Sequence, residues 1–353
     1  MHMKVTIAAA LLLAVMGSVA HAQNGSPAPQ RARHSDKNKD YPKFYVQASG
    51  GYFLSVSPGE YPNVGPFGPY ETFSDVNPST GAQTAVISNK ILTGSYGAGW
   101  RTGVAADMNL NKYVGLELGF HYYKSQRNLM THQVEYADGA PAGTPPVLSL
   151  ESKGYVNAFD VAPALVISPG QYQGFNPYVR FGLVIPVYGR LHIHTDGNAV
   201  GETTEGGATF ETVTVFHRDE TVTPSASLGF QGAVGVSHPL GRHLDVFAEA
   251  EYRNVPVESK SDKVTAYQQV TQVIDPANGQ TVQTVTVGLS DLTTAQRNTT
   301  YQTTLTQNSN TPTDNPTTNL NPTYANENIP ANALKSYINI GGLGINAGLR
   351  WRL

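Results

Sequence analysis

Eight stretches of the chain alternate apolar and polar residues with a period of two. That spacing puts every second side chain on one face of a β-strand. The stretches cover residues 44–54, 96–108, 113–124, 155–168, 177–194, 223–237, 244–257 and 335–353. In the third, Val114, Leu116, Leu118, Phe120 and Tyr122 share one face, and Gly115, Glu117, Gly119 and His121 the other. The fifth sets Val179, Phe181, Leu183, Ile185 and Val187 against Tyr178, Arg180, Gly182 and Val184. The seventh sets Leu244, Val246, Ala248, Ala250 and Tyr252 against Asp245, Phe247, Glu249, Glu251 and Arg253. Each stretch is long enough for the roughly 9–11 residues with which a tilted strand crosses a bilayer.

A soluble sandwich also alternates, so the connections decide between the two. Residues 109–112, 169–176 and 238–243 are short and rich in turn formers, whereas 55–95, 125–154, 195–222 and 258–334 are long. Structureless loops beyond about 12–15 residues are uncommon in compact soluble domains. Short turns on one side and long loops on the other are the habit of membrane barrels. The pattern predicts an all-β, antiparallel up-and-down transmembrane barrel of eight strands over residues 43–353. Its long loops lie outside the cell and both termini in the periplasm. The Pro-rich first loop is expected to resist regular structure. The last loop reads as a hairpin, 264–274 and 281–289, about the turn Asp275-Pro276-Ala277-Asn278-Gly279, with a disordered tip at 308–321.

Aromatic residues fall near strand ends, as ring side chains with a polar tip do at a headgroup zone. Tyr52, Tyr96, Tyr122, Tyr155, Tyr188, Tyr252 and Tyr337 would form the outer girdle, to which the sixth strand adds none. Tyr113, Tyr178 and Trp351 would mark the inner rim.

The start of the chain assigns the compartment. Lys4, the apolar run 5–15 and Ala20-His21-Ala22 read as a signal peptide, 1–22, cleaved after Ala22. A retained anchor would need a longer run. Residues 23–42 read as a flexible periplasmic lead-in. Loss of Lys4 takes the formal charge from −3 to −4, and nothing in the chain resembles a nucleic-acid footprint. The absence of cysteine excludes disulfides, thiolate zinc sites and lipid attachment through cysteine. Charged residues make up only 14% of the chain, against about 25% in soluble domains. No long apolar run follows the signal, so helical spans are not expected.

The last strand places Ile345, Ala347, Leu349, Trp351 and Leu353 on one face. Here the chain resembles the small outer-membrane barrel families, namely the OmpA transmembrane domain and the porin-like outer membrane protein β-barrel group. That resemblance implies an eight-stranded fold and contact with outer-membrane lipid and lipopolysaccharide. It also implies a C-terminal strand read by the barrel assembly machinery. Those families usually end in an aromatic residue; this chain ends in Leu353. No peptidoglycan-binding segment follows the last strand, so wall tethering is not expected.

An eight-stranded barrel is narrow enough for side chains to fill. The inward faces would hold Arg101, Asp107, Glu117, Asp160, Arg180, Asp245, Glu249, Glu251, Arg253, Arg350 and Arg352. Both signs are present, so an ion-paired plug is expected. A narrow channel lined by the same groups is the alternative, and a lipid-modifying barrel enzyme a more distant one. His192-x-His194-x-Asp196 offers three metal-ligand types on one strand face. A lone HxH lacks a fixed second half, however, and a hydrated strand end at the barrel mouth is the plainer expectation. His121, His132 and His217 could lie near a mouth, but nothing pairs them with a serine, so no catalytic set and no cofactor is assigned. The loops could bind an extracellular ligand or simply shield the membrane.

Overall fold

The computed structural model describes residues 43–353 except 57, 66, 78–79 and 312–325. The signal peptide, the lead-in and most of the expected disordered tip lie outside the described residues. Eight strands overlap the alternating stretches, although 223–237 and 335–353 begin too early and take in the end of Ala208–Pro224 and the short strand Tyr337–Asn339. The eight are β1 (Phe44–Leu54), β2 (Gly99–Asn109), β3 (Val114–Ser125), β4 (Leu148–Ile167), β5 (Asn176–Glu205), β6 (Gly229–Pro239), β7 (Leu244–Asn254) and β8 (Leu343–Arg352).

Each pairs antiparallel with its neighbours in this order, and β8 pairs back onto β1. Pairing therefore runs in a circuit. A circuit is what a lipid environment requires, because an open edge would leave backbone N–H and C=O groups without partners. The strands hold their register through side-chain alternation. On β3, Leu116, Leu118, Phe120 and Tyr122 are exposed on the outer face, while Glu117 and His121 are buried within. Phe181, Val234, Ile345 and Leu349 continue the exposed apolar band on other strands. Where an interior ring needs room, the facing residue has no side chain. A Cβ on Gly235 would lie 2.5 Å from the Tyr178 ring.

The short connections are turns, as expected. In the first, Asn111 Oδ1 accepts from the backbone N–H groups of Tyr113 at 2.8 Å and Val114 at 2.9 Å, which fixes the reversal into β3. The long connections differ from expectation. The described residues form nineteen strands, and seventeen of them belong to one continuous sheet. The Pro-rich first connection contains a hairpin, Tyr70–Val76 with Gln83–Ile91. Its first strand lies parallel to Asn128–Ala137, which in turn pairs with the extension of β4.

β4 and β5 run 20 and 30 residues, well past what a bilayer needs. The extension of β5 pairs with Ala208–Pro224, and that strand with Pro256–Asp275. The expected last-loop hairpin is present as Pro256–Asp275 and Gln280–Gly288, with Gly279 at φ +69° in its turn. Of the expected disordered tip, residues 309–311 are described and buried. The Asn310 side chain donates to the backbone carbonyls of Asn326, Ile329 and Pro330. Alternation across loops rich in Pro and Gly was too broken to read as strand, yet neighbouring extensions supply the partners that make it one.

Leu118 sits near the middle of β3 on the exposed face. Leu118→Arg is expected to cost about 2–4 kcal/mol of folding stability in vesicles, as cations do at a bilayer midplane. Tyr172→Arg, in the turn before β5, is expected to stay within about 0.5 kcal/mol. Urea titration of the refolded variants checks both; equal effects would contradict a lipid-facing β3.

Candidate functional site

Strand alternation sends the even or odd members of each ring strand inward, and ten of the buried inward positions among the described residues are charged. Arg180 on β5 is the hub. Its Nη1 donates to Glu117 of β3 at 2.6 Å and its Nη2 to Glu249 of β7 at 2.5 Å, with Glu251 3.4 Å away. Glu249 also accepts from the Tyr178 hydroxyl at 2.9 Å, and Glu117 from Gln47 at 2.8 Å. Asn346 of β8 donates to Glu251.

A second hub lies toward the long-loop end. Arg253 donates to Glu251 through Nε and to Asp160 through Nη1 at 3.0 Å. Arg101 reaches the other oxygen of Asp160 at 3.2 Å, with its guanidinium over the rings of Phe53 and Tyr123. His121 Nδ1 is 3.1 Å from Asp160. Toward the short-turn end, Arg350 donates to Gln47 and stands 4.0 Å from Asp107, and Arg352 pairs with Asp245. Six carboxylates thus face five guanidiniums, on strands β2, β3, β4, β5, β7 and β8. All these groups are buried apart from the half-buried Arg352.

Every sequence-predicted interior charge is therefore in one of these connected sets. The sequence reading missed their neutral members, Gln47, Tyr123 and Asn346, and left His121 unassigned. Alternation placed them inward, but an uncharged side chain gave no sign of the ion it serves.

The aromatic girdle is only partly as expected. Tyr113, Tyr122, Tyr188, Tyr252, Tyr337 and Trp351 are exposed. Tyr52 is half-buried, edge-on to the exposed Trp100, which the sequence reading omitted. Tyr155 is half-buried and stacks on His192. Two assignments are wrong. Tyr178 is inward by its own strand alternation and hydrogen-bonds to Glu249. Tyr96 is fully buried, because the chain turns in over the barrel there and Tyr123 donates to its carbonyl at 2.5 Å.

Tyr96 belongs to an apolar layer that covers the charged one at the long-loop end. The layer contains Tyr61, Tyr123, Met130, Val156, Val184, Leu191, Ile193, Val222, Val255 and Ile340. It sits where the wall changes partner. β5 leaves β6 at Val184 and meets Ala208–Pro224 at Leu191, with a bulge at 186–188 in its pairing to β4. A cavity of ≈ 360 Å³ opens in that interval, lined by Pro186, Tyr188, Val222, Val257, Tyr301 and Ile338 among others.

A circuit of alternating strands with buried charges inside and exposed apolar residues outside is the setting for the comparison with known families. The family model for the outer membrane protein beta-barrel domain matches residues 8–290, about four-fifths of the chain. The chain belongs to that family. Membership places it in the outer membrane. The match covers β1 to β7, and β8 follows it, supplying the strand that pairs with both β7 and β1. No individual curated protein matches the chain.

Within this beta-barrel domain, Arg180→Met is the most informative change. It leaves Glu117, Glu249 and Glu251 buried without their shared cation, and breaking a buried pair on one side costs about 3–5 kcal/mol. The unfolding midpoint in urea should fall accordingly. A loss under about 1 kcal/mol would show the three carboxylates to be otherwise satisfied.

Proposed function

We propose that this outer-membrane barrel is a non-conducting, eight-stranded scaffold of the OmpA-transmembrane-domain type. In this reading a signal peptide cleaved after Ala22 exports it, and the sheet its strands carry beyond the membrane performs its function. The carrying observation is the interior. Arg180, Arg253 and Arg101 each bond carboxylates on other strands across the lumen, and an apolar layer overlies them. An ion entering such a path would have to break paired groups already out of water, at a cost no single contact returns.

The partners follow from the surfaces. Outer-membrane lipid and lipopolysaccharide meet the exposed apolar band, and the barrel assembly machinery reads β8. An extracellular ligand has a groove of ≈ 940 Å³ available, flanked by Arg218, Glu220, Asp262, Tyr267 and Lys335. No reaction and no cofactor is assigned.

The mature protein, refolded into planar bilayers and checked for its folded form, should show no stable conductance above lipid alone. Stable single-channel steps from folded protein would replace the scaffold with a narrow channel, and make the Arg and Glu rows its selectivity residues.

A further inference from the structure

Beyond its bulge, β5 reverses phase. Leu191, Ile193 and Thr195 are buried, and His192, His194 and Asp196 turn to the outside of the sheet. The strand paired with it, Ala208–Pro224, carries His217 and Asp219 in matching register. His194 lies opposite Asp219, and Asp196 opposite His217. Directly paired residues on antiparallel strands point the same way, and residues two apart share a face. Four side chains therefore form a box with like groups on its diagonals.

The box is closed on all four sides. His194 Nδ1 is 2.7 Å from Asp219 and its Nε2 3.0 Å from Asp196. His217 Nδ1 is 2.9 Å from Asp196 and its Nε2 3.4 Å from Asp219. The two imidazole centroids are 4.5 Å apart. Ligand atoms of His194, His217 and Asp219 all lie within 4.8 Å of one another.

We propose that His194, His217 and Asp219, with Asp196 beside them, form a binding site for a borderline divalent transition-metal ion of the zinc type. Three features carry this. The donor set, two imidazoles and the Asp219 carboxylate, is one that zinc accepts, and Asp196 adds a second negative charge beside the ion. A metal takes one nitrogen from each imidazole, so the donors of His194, His217 and Asp219 would close from within 4.8 Å of one another toward the roughly 3.3–3.6 Å separation of a tetrahedral shell. The backbone that presents them is a paired antiparallel ladder, so the ligands start on a rigid frame. The next residues in the row are compatible. Lys153 and Glu151 of β4 stand beside His194 and Asp196, and pair with each other at 2.5 Å, which offsets the ammonium's repulsion of a cation. His192 is outside the box, stacked on Tyr155.

The site ties β5 to its partner strand outside the segment that pairs with β6. The test uses tag-free, refolded full-length mature protein, stripped with a chelator and titrated with zinc against a chromophoric competitor. One zinc should bind per chain, saturably. Cobalt in its place should give the intense visible bands of a tetrahedral centre. His194→Ala, His217→Ala and Asp219→Asn should each weaken zinc by more than about tenfold, since even outer-shell partners contribute that much. His192→Ala should leave affinity unchanged. Circular dichroism and heat-dependent gel mobility confirm that the variants fold. No saturable one-to-one binding, or binding that His194→Ala and Asp219→Asn leave intact while the proteins stay folded, would overturn the site.

Discussion

A ring of eight strands leaves so little interior that side chains can fill it, and a charged side chain buried there needs a counterion. Most such counterions come from another strand, and Glu251 serves Arg253 from the same one. The rest of the structure follows from that constraint. Arg180 on β5 draws in Glu117 from β3 and Glu249 and Glu251 from β7, and Arg253 joins β7 to Asp160 on β4. Each such pair fixes a register across the lumen, in addition to the register set by the backbone ladder. Neutral members are positioned to absorb what remains. Gln47 stands between Glu117 and Arg350, and Asn346 beside Glu251. The price is specificity of a rigid kind, because removing one charge strands another in a place where it cannot be hydrated.

Above the charged layers the chain changes strategy but keeps its geometry. The ring strands do not end at the membrane. β4, β5 and the segment after β7 continue as one sheet, and the bulge at 186–188 reverses which residues of β5 face inward. That reversal is why Leu191 and Ile193 join the apolar layer while His192 and His194 face out. One irregularity in one strand thus separates the charged interior from a polar outer surface. It also opens the cavity between Pro186, Val222 and Ile338.

Much of this was legible in the sequence, and for identifiable reasons. Period-two alternation located the cores of the eight ring strands and the inward charges, because each lipid-facing position must be apolar and the charges fall on the opposite phase. The Asn278-Gly279 turn revealed the last-loop hairpin for the same kind of local reason. The extensions were not legible. Residues 70–91 and 128–137 have both faces mixed and lean on neighbours far away in sequence. Tyr96 and Tyr178 show the limit of counting aromatics at strand ends, because burial depends on the path of the chain and on phase. Of His192-x-His194-x-Asp196, only His194 and Asp196 join the cluster, whose other members, His217 and Asp219, come from the register of a hairpin. One strand alone cannot display that.

The central claim is that the lumen is closed to water. The natural chain contains no cysteine, so one introduced thiol reports on one position. Gln231 on β6 is 3% exposed and outside the ion pairs, which makes Gln231→Cys a lumen reporter that removes no charge. A small, charged, water-soluble thiol reagent should modify Asn278→Cys, in the exposed last-loop turn, rapidly in the folded protein. It should modify Gln231→Cys only after unfolding. Equally rapid modification of both in folded protein would contradict a closed interior.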